Sequence, residues 1–240
     1  MTRRHFWIAI AGALSLTSAA HAQSPTAAFL FAYDIDRGKQ DAFEAGYAAH
    51  LGWHAAHGDT LPWYGWYVTS GPKTGLFIDG TFGIPFSAMD RRVDPAGDGA
   101  DMEAKVLPFA KARAYSALEF WPEVSTARTL EDRKPSAVLD TYAVKVSPAN
   151  IAAFETALAD VAGDRKGLPL SWYRLVSGGP AGGYLLLVPR QTWAELAGRP
   201  RDLASLLTAT YGPGAAKTAA LVDSVDVESW SYKPKLSRLP

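Results

Sequence analysis

Glu119-Phe120-Trp121 recurs as Glu228-Ser229-Trp230, and three further echoes keep nearly the same spacing. Ala42-Phe43-Glu44 returns as Ala153-Phe154-Glu155, and Leu61-Pro62 as Leu168-Pro169. Val68, Pro72 and Gly75 return as Val176, Pro180 and Gly183. Unrelated segments drift out of register, whereas a duplicated unit holds it. The chain is therefore written twice, with repeats over 26–124 and 136–234 and a linker over 125–135. The linker closes on the charged run Leu130-Glu131-Asp132-Arg133-Lys134-Pro135.

Each repeat carries the same order of elements. A strand with alternating apolar residues comes first, over 29–35 or 138–146. A helix follows, with Phe43, Tyr47, His50 and His54, or Ile151, Phe154, Leu158 and Val161, at helical spacing. Ser147-Pro148 supplies an N-cap and first-turn pair for the second of these helices. Two strands flank a Gly-Pro turn, 64–70 with 76–79 and 172–177 with 184–188. A second helix is expected over 101–113 or 201–211, and a last strand over 115–121 or 225–230. Residues 80–101 read as an insertion-like loop, with Asp101 as the N-cap of the helix after it. A lid over a central cavity is one use for such a loop.

The order β-α-β-β-α-β is the split βαβ of ferredoxin-like domains. Two copies in tandem resemble the dimeric α/β-barrel superfamily. The resemblance covers nearly the whole chain and rests on element order and repeat, with no diagnostic motif. It implies an α+β fold in which two antiparallel sheets pack face to face around a central cavity, related by a pseudo-two-fold axis. It also implies a range of activities: cofactor-free monooxygenases, haem enzymes such as chlorite dismutases, and stress-induced binding proteins. A subunit-interaction role is a further option, because such barrels associate through sheet edges into homo-oligomers.

Residues 1–22 have the form of a signal peptide. Arg3 and Arg4 precede the short apolar run 6–16, and Ala20-His21-Ala22 fits a cleavage site. Thr2-Arg3-Arg4-His5-Phe6 also resembles a twin-arginine export signal. The expected location is periplasmic or secreted. Cleavage would remove two arginines and no acid, leaving a formal charge of −2. That charge provides no basis for nucleic acid or an anionic membrane as partner. The chain has no cysteine, so disulfides, zinc-thiolate sites and thiol nucleophiles are excluded. Nucleophile elbow, phosphate loop and dinucleotide fingerprint are missing too.

Two groups of residues carry the expected chemistry. In the last strand of the second repeat, Asp226, Glu228 and Trp230 share one face. Repeat equivalence puts Ala117, Glu119 and Trp121 inward as well. With Tyr64, Trp66 and Trp172 these form an expected aromatic-lined site for a small molecule. The competing reading is an inter-sheet core with carboxylates at a wet rim.

The second group is His50-Leu-Gly-Trp-His-Ala-Ala-His-Gly-Asp59, which holds every histidine outside the leader. At 100° per residue, His50, His54 and His57 fall within roughly a 60° wedge of one helix face. Val161 and Arg165 stand opposite His50 and His54 in the second repeat, so the first repeat is the specialised one. Two imidazoles one turn apart can hold a divalent metal, with Asp59 or a distant acid completing the set. Haem ligation and direct catalysis are the other chemical readings. The segment is not HExxH, because Leu51 stands where the glutamate belongs. The plain alternative is helix-end packing, with imidazolium favoured by the helix dipole.

Overall fold

The structure is a computed structural model and describes residues 26–164 and 167–240. The leader 1–22 lies outside the described residues, as does Arg165, the counterpart of His54. The first repeat forms β1 (Thr26–Ile35), α1 (Gln40–Ala56), β2 (Tyr64–Ser70), β3 (Phe77–Pro85), α2 (Pro95–Lys105) and β4 (Ala110–Phe120). The second forms β5 (Val138–Val146), α3 (Ile151–Val161), β6 (Ser171–Ser177), β7 (Gly183–Arg190), α4 (Leu203–Tyr211) and β8 (Val222–Tyr232). Among the described residues no helix is long and apolar enough to cross a membrane.

Within each repeat the strands lie in ferredoxin-like order, β4-β1-β3-β2 and β8-β5-β7-β6, all antiparallel. The edges then join. Val68 of β2 pairs with Trp230 of β8, and Phe120 of β4 pairs with Tyr173 of β6. The result is one closed eight-stranded barrel. The closing ladders are short: residues 110–116 of β4 pair only with β1 and residues 222–228 of β8 only with β5, so each keeps one unpaired edge.

Alternation splits the apolar residues into an inner set and two outer sets. The barrel interior holds Ala28, Tyr64, Trp66, Val68, Ile78, Phe82, Leu118, Phe120, Leu139, Tyr173, Leu185, Leu187 and Trp230. Outside the first repeat, α1 lays Phe43, Tyr47 and Leu51 on Tyr33, Tyr67 and Phe77. Outside the second, Phe154 and Leu158 of α3 pack with Trp172, Tyr184 and Leu186. The linker is folded rather than extended: Leu130 is buried in the barrel cluster, and its carbonyl accepts from Tyr64 Oη at 2.6 Å. The far end of the chain returns to the first repeat, with Leu236 buried and Trp63 bridged to Arg238.

The face expected for β4 is wrong. Leu118 and Phe120 point into the barrel, while Ala117 and Trp121 belong to the two outer clusters and Glu119 is half-buried outside. Leu118 stands opposite Ala28, as Trp230 stands opposite Leu139. Glu119 is thus not the spatial partner of Glu228. The spatial counterpart of Trp230 is Leu118, 112 positions back, whereas the Trp121/Trp230 echo is 109 apart, so the echo is three residues out of step with the structural repeat. An odd slip turns every side chain over to the other face.

The segment expected as loop 80–101 is also different. Residues to Pro85 extend β3, a 3-10 turn covers Phe86–Arg91, and α2 starts at Pro95. Asp94 caps it, accepting from the Gly97 amide at 3.0 Å, with Pro95 in the first turn. The lid reading therefore gives way to a helix packed against α1.

Candidate functional site

Helix α1 turns His50 and His54 toward the sheet because they continue the stripe of Phe43 and Tyr47 at four-residue spacing. Both are buried, at 2% and 5% exposure. Helix α2 brings Asp98 and Asp101, one turn apart, against them. The two helices approach closely because Gly46 has no side chain: a Cβ there would lie 1.9 Å from the Lys105 carbonyl oxygen.

The hydrogen bonds fix the state of both rings. His50 Nδ1 lies 2.8 Å from Asp101 Oδ2, and His54 Nδ1 lies 2.8 Å from Asp59 Oδ2. An ionised carboxylate only accepts, so each Nδ1 carries a proton. In the neutral rings each Nε2 is then a bare acceptor. Those two Nε2 atoms are 3.2 Å apart. Asp98 Oδ1 completes the group, 3.3 Å from His50 Nε2 and 3.5 Å from His54 Nε2. Three possible ligand atoms therefore converge. A triangle of these sides has a circumradius of about 1.9 Å, so an ion just out of its plane reaches all three at about 2.1 Å, an ordinary metal–ligand distance. Burial pushes the His50 pKa down, which favours its neutral, ligating form.

The surroundings hold this arrangement in place. Burial alone would raise the Asp59 pKa, but hydrogen bonds from His54, Trp63 Nε1 and the Leu61 amide outweigh it and lower it to about 2. Asp101 is lowered as well, because bonds from Lys105 and His50 outweigh its desolvation. Lys105 Nζ reaches Asp101 Oδ1 at 2.5 Å, and Arg92 Nη1 stands 3.4 Å from Asp98 Oδ2. Carboxylates behind the Nδ1 atoms are the usual support for metal-binding imidazoles.

A cavity of about 190 Å³ opens beside the triad, lined by Phe31, Tyr33, Tyr47, Trp63, Asp79 and Met102 among others. Asp79 is buried there. Tyr47 Oη donates to its Oδ2 at 2.8 Å, and its Oδ1 has no partner. Burial raises its pKa to about 7.

A second cavity of about 370 Å³ occupies one end of the barrel. Leu30, Ala32, Ile78, Leu118, Leu175, Leu185 and Trp230 line it, with Glu228, Asp226 and Lys73 toward its mouth. The other end is filled by stacked and edge-on rings, among them Tyr64, Trp66, Phe82 and Tyr173.

The expected site residues thus separate. His50 and His54 converge with Asp98, which the sequence placed only among the acids of the 80–101 loop. Asp59 stands behind His54 rather than in the triad. His57 lies outside: it is exposed, stacks on Trp53 at 4.0 Å, and its Nδ1 bonds the Trp53 carbonyl at 2.8 Å. Glu228 and Trp230 line the barrel cavity, and Asp226 is exposed at its mouth. Tyr64 and Trp66 belong to the plug. Trp172 faces outward, donating from Nε1 to Tyr211 at 3.1 Å, and Trp121 lies under the Arg174 guanidinium at 3.8 Å. The cavity is therefore mainly aliphatic.

Haem does not fit either place. Among the described residues no histidine or methionine lines the barrel cavity, and the hydroxyl of its one tyrosine, Tyr184, is engaged by Glu155. Haem iron needs such an axial ligand. The cavity at the histidines, at about 190 Å³, is too small for a porphyrin and leaves room only for a small substrate.

Fold and geometry define the class first: a tandem ferredoxin-like α/β barrel with a two-histidine, one-carboxylate cluster outside its first sheet. Solved structures agree on the fold. A protein assigned as a monooxygenase from Lactobacillus acidophilus NCFM aligns over 88% of this chain and 94% of its own, at 14% identity and a TM-score of 0.56. Chlorite dismutase from Candidatus Nitrospira defluvii, in complex with imidazole, aligns over 88% and 92% at 7% identity and 0.56. An anthrone oxidase-like protein aligns over 90% and 94% at 10% identity and 0.50. No protein-family model and no curated protein matches the chain.

Proposed function

We propose that the protein is a metal-dependent oxidoreductase of a small-molecule substrate, its ion held by His50 Nε2, His54 Nε2 and the Asp98 carboxylate. One observation carries this reading: two buried imidazoles and the partly buried Asp98 carboxylate bring three ligand atoms together at separations that suit one ion. Two imidazoles and one carboxylate on a single side of an ion leave positions open opposite, and that donor set suits non-haem iron(II). Asp59 and Asp101 fix the rings. Asp79, on the same cavity wall with a free oxygen, is placed to take or hold a proton of the bound substrate. The likeness to a monooxygenase-assigned structure supports the class by analogy of fold. The leader-like 1–22 supports a periplasmic location, which N-terminal sequencing of the mature chain checks.

Anaerobic dialysis against iron(II), then elemental analysis, tests the site. One ion per chain is expected, lost in His54→Ala and Asp98→Asn and kept in His57→Ala. No bound iron, or iron that survives both ligand substitutions, would sink the proposal.

A second reading has its own support. The 370 Å³ barrel cavity lies within the range of small-molecule sites and needs no ion. It makes the barrel a small-molecule-binding protein in its own right.

A further inference from the structure

The barrel cavity has a mainly apolar wall and one buried, anchored charge. Glu228 is 3% exposed, yet its carboxyl group lies on the wall between Trp230 and the mouth. Trp230 Nε1 donates to Oε2 at 3.1 Å. The other oxygen, Oε1, makes no hydrogen bond and has only the Lys73 ammonium nearby, at 3.3 Å. Lys73 sits on the turn between β2 and β3, and its side chain is 54% exposed. The turn rests on Glu228 through Gly71, at φ +96°: a Cβ there would stand 2.9 Å from both Glu228 Cγ and the Val227 carbonyl oxygen. The buried partner of this ion pair is therefore anchored, and the exposed partner is on a flexible stem that can leave.

We infer that the barrel end is a binding site for small amphipathic amines, with the apolar body between Leu30, Ile78, Leu118, Leu185 and Trp230 and the ammonium on Glu228 in place of Lys73. The inference rests on the reading of this cavity as a small-molecule site and names its ligand class. Three features support it. An eight-stranded barrel is wide enough to hold one small ligand when side chains do not fill it. Here the aromatic plug fills only the opposite end. A carboxylate in an apolar wall strongly favours a partner that is both cationic and desolvated with it. Lys73 meets the first condition only, since its head is half in water. The lining also carries Asp226, Lys73 and Lys145, which with Glu228 offset one another, so the preference for a cation rests on the anchored Glu228 carboxylate.

Calorimetric titration of the whole protein with hexylammonium, 1-hexanol and hexanoate at one pH tests the class. Hexylammonium should bind at one site, at least tenfold more tightly than 1-hexanol, with hexanoate weaker than both. Glu228→Gln should cost hexylammonium at least tenfold and leave 1-hexanol unchanged. Lys73→Ala alters an exposed turn residue and keeps the fold, so it serves even if the glutamine variant misfolds. It should tighten hexylammonium several-fold by removing the competing ammonium. Equal binding of all three probes, or tightest binding of hexanoate, would overturn the amine inference while leaving a general cavity site. Failure of every probe to bind would overturn both. A Lys73→Ala variant with unchanged or weaker hexylammonium binding would also count against it.

Discussion

Asp79→Asn in metal-free protein should reverse the effect of pH on stability near neutrality. Asp79 is buried, and its pKa is raised from 3.8 to about 7 by loss of solvent. The folded state therefore holds a proton that the unfolded state gives up between about pH 4 and 7. Stability contributed by that proton is full below pH 4 and lost as pH rises through 7. Three pKa units at 1.36 kcal/mol each give an upper figure of about 4 kcal/mol. Asparagine keeps an acceptor for Tyr47 Oη and never ionises. The variant should thus match wild type near pH 4 and exceed its unfolding free energy at pH 8 by a few kcal/mol. Urea melts at pH 4.5, 6, 7 and 8, with chelator present, measure the difference. Taking the difference cancels Asp59 and His50, whose lowered pKa values add opposite slopes to both proteins. An ion at the triad favours ionised Asp79, so adding metal should shrink the gap at pH 8. A difference that stays flat with pH, or grows toward acid, would refute the assignment of a buried carboxyl held protonated by loss of solvent.

Other outcomes follow from packing. Gly46→Ala must push α2 away from α1, since its Cβ would meet the Lys105 carbonyl oxygen; it should cost about 1–3 kcal/mol in a thermal melt and weaken metal binding without touching a ligand. Asp140→Ala strands the fully buried Arg190, which holds that carboxylate through two nitrogens at 3.0 and 2.9 Å; denaturant titration should show a loss of about 3–5 kcal/mol. A chain ending at Lys134 exposes the inner face and both closing edges, so size-exclusion chromatography should show aggregate or dimer; a stable monomer would contradict the closed barrel.

The duplication and the element order were legible because they are written in spacing, and spacing survives packing. His50 and His54 were legible for the same reason: they extend an apolar stripe. So were Glu228 and Trp230, since β8 alternates cleanly where its flanking valines face out. What failed lies where spacing alone does not decide. The Glu119-Phe-Trp121 echo is an odd number of residues out of step with the pairing that sets Leu118 opposite Ala28, so Glu119 and Trp121 were assigned to the wrong face. Trp172 and Tyr173 are adjacent large aromatics, and alternation alone cannot say which one enters the barrel; Tyr173 does. Asp98 was missed because Gly97 and Gly99 disguise the first turns of α2 as loop. A signal existed in Asp94-Pro95, the same cap-and-proline pair that marks the start of the second repeat's first helix at Ser147-Pro148. Placing the helix start there puts Asp98 and Asp101 on one face, directed at α1. Asp59 joins His54 only because Gly58, at φ +70°, turns the chain back after the helix.

The central claim is the ion at the triad. Crystals of protein loaded with one equivalent of iron(II) or zinc, measured at the metal's absorption edge, test it most directly. The account predicts one anomalous peak per chain, about 2.0–2.2 Å from His50 Nε2, His54 Nε2 and an Asp98 oxygen, with Asp59 and Asp101 still bonded to the Nδ1 atoms. A peak on His57 or Asp59, or no peak while the three acceptors stay in place, would contradict it.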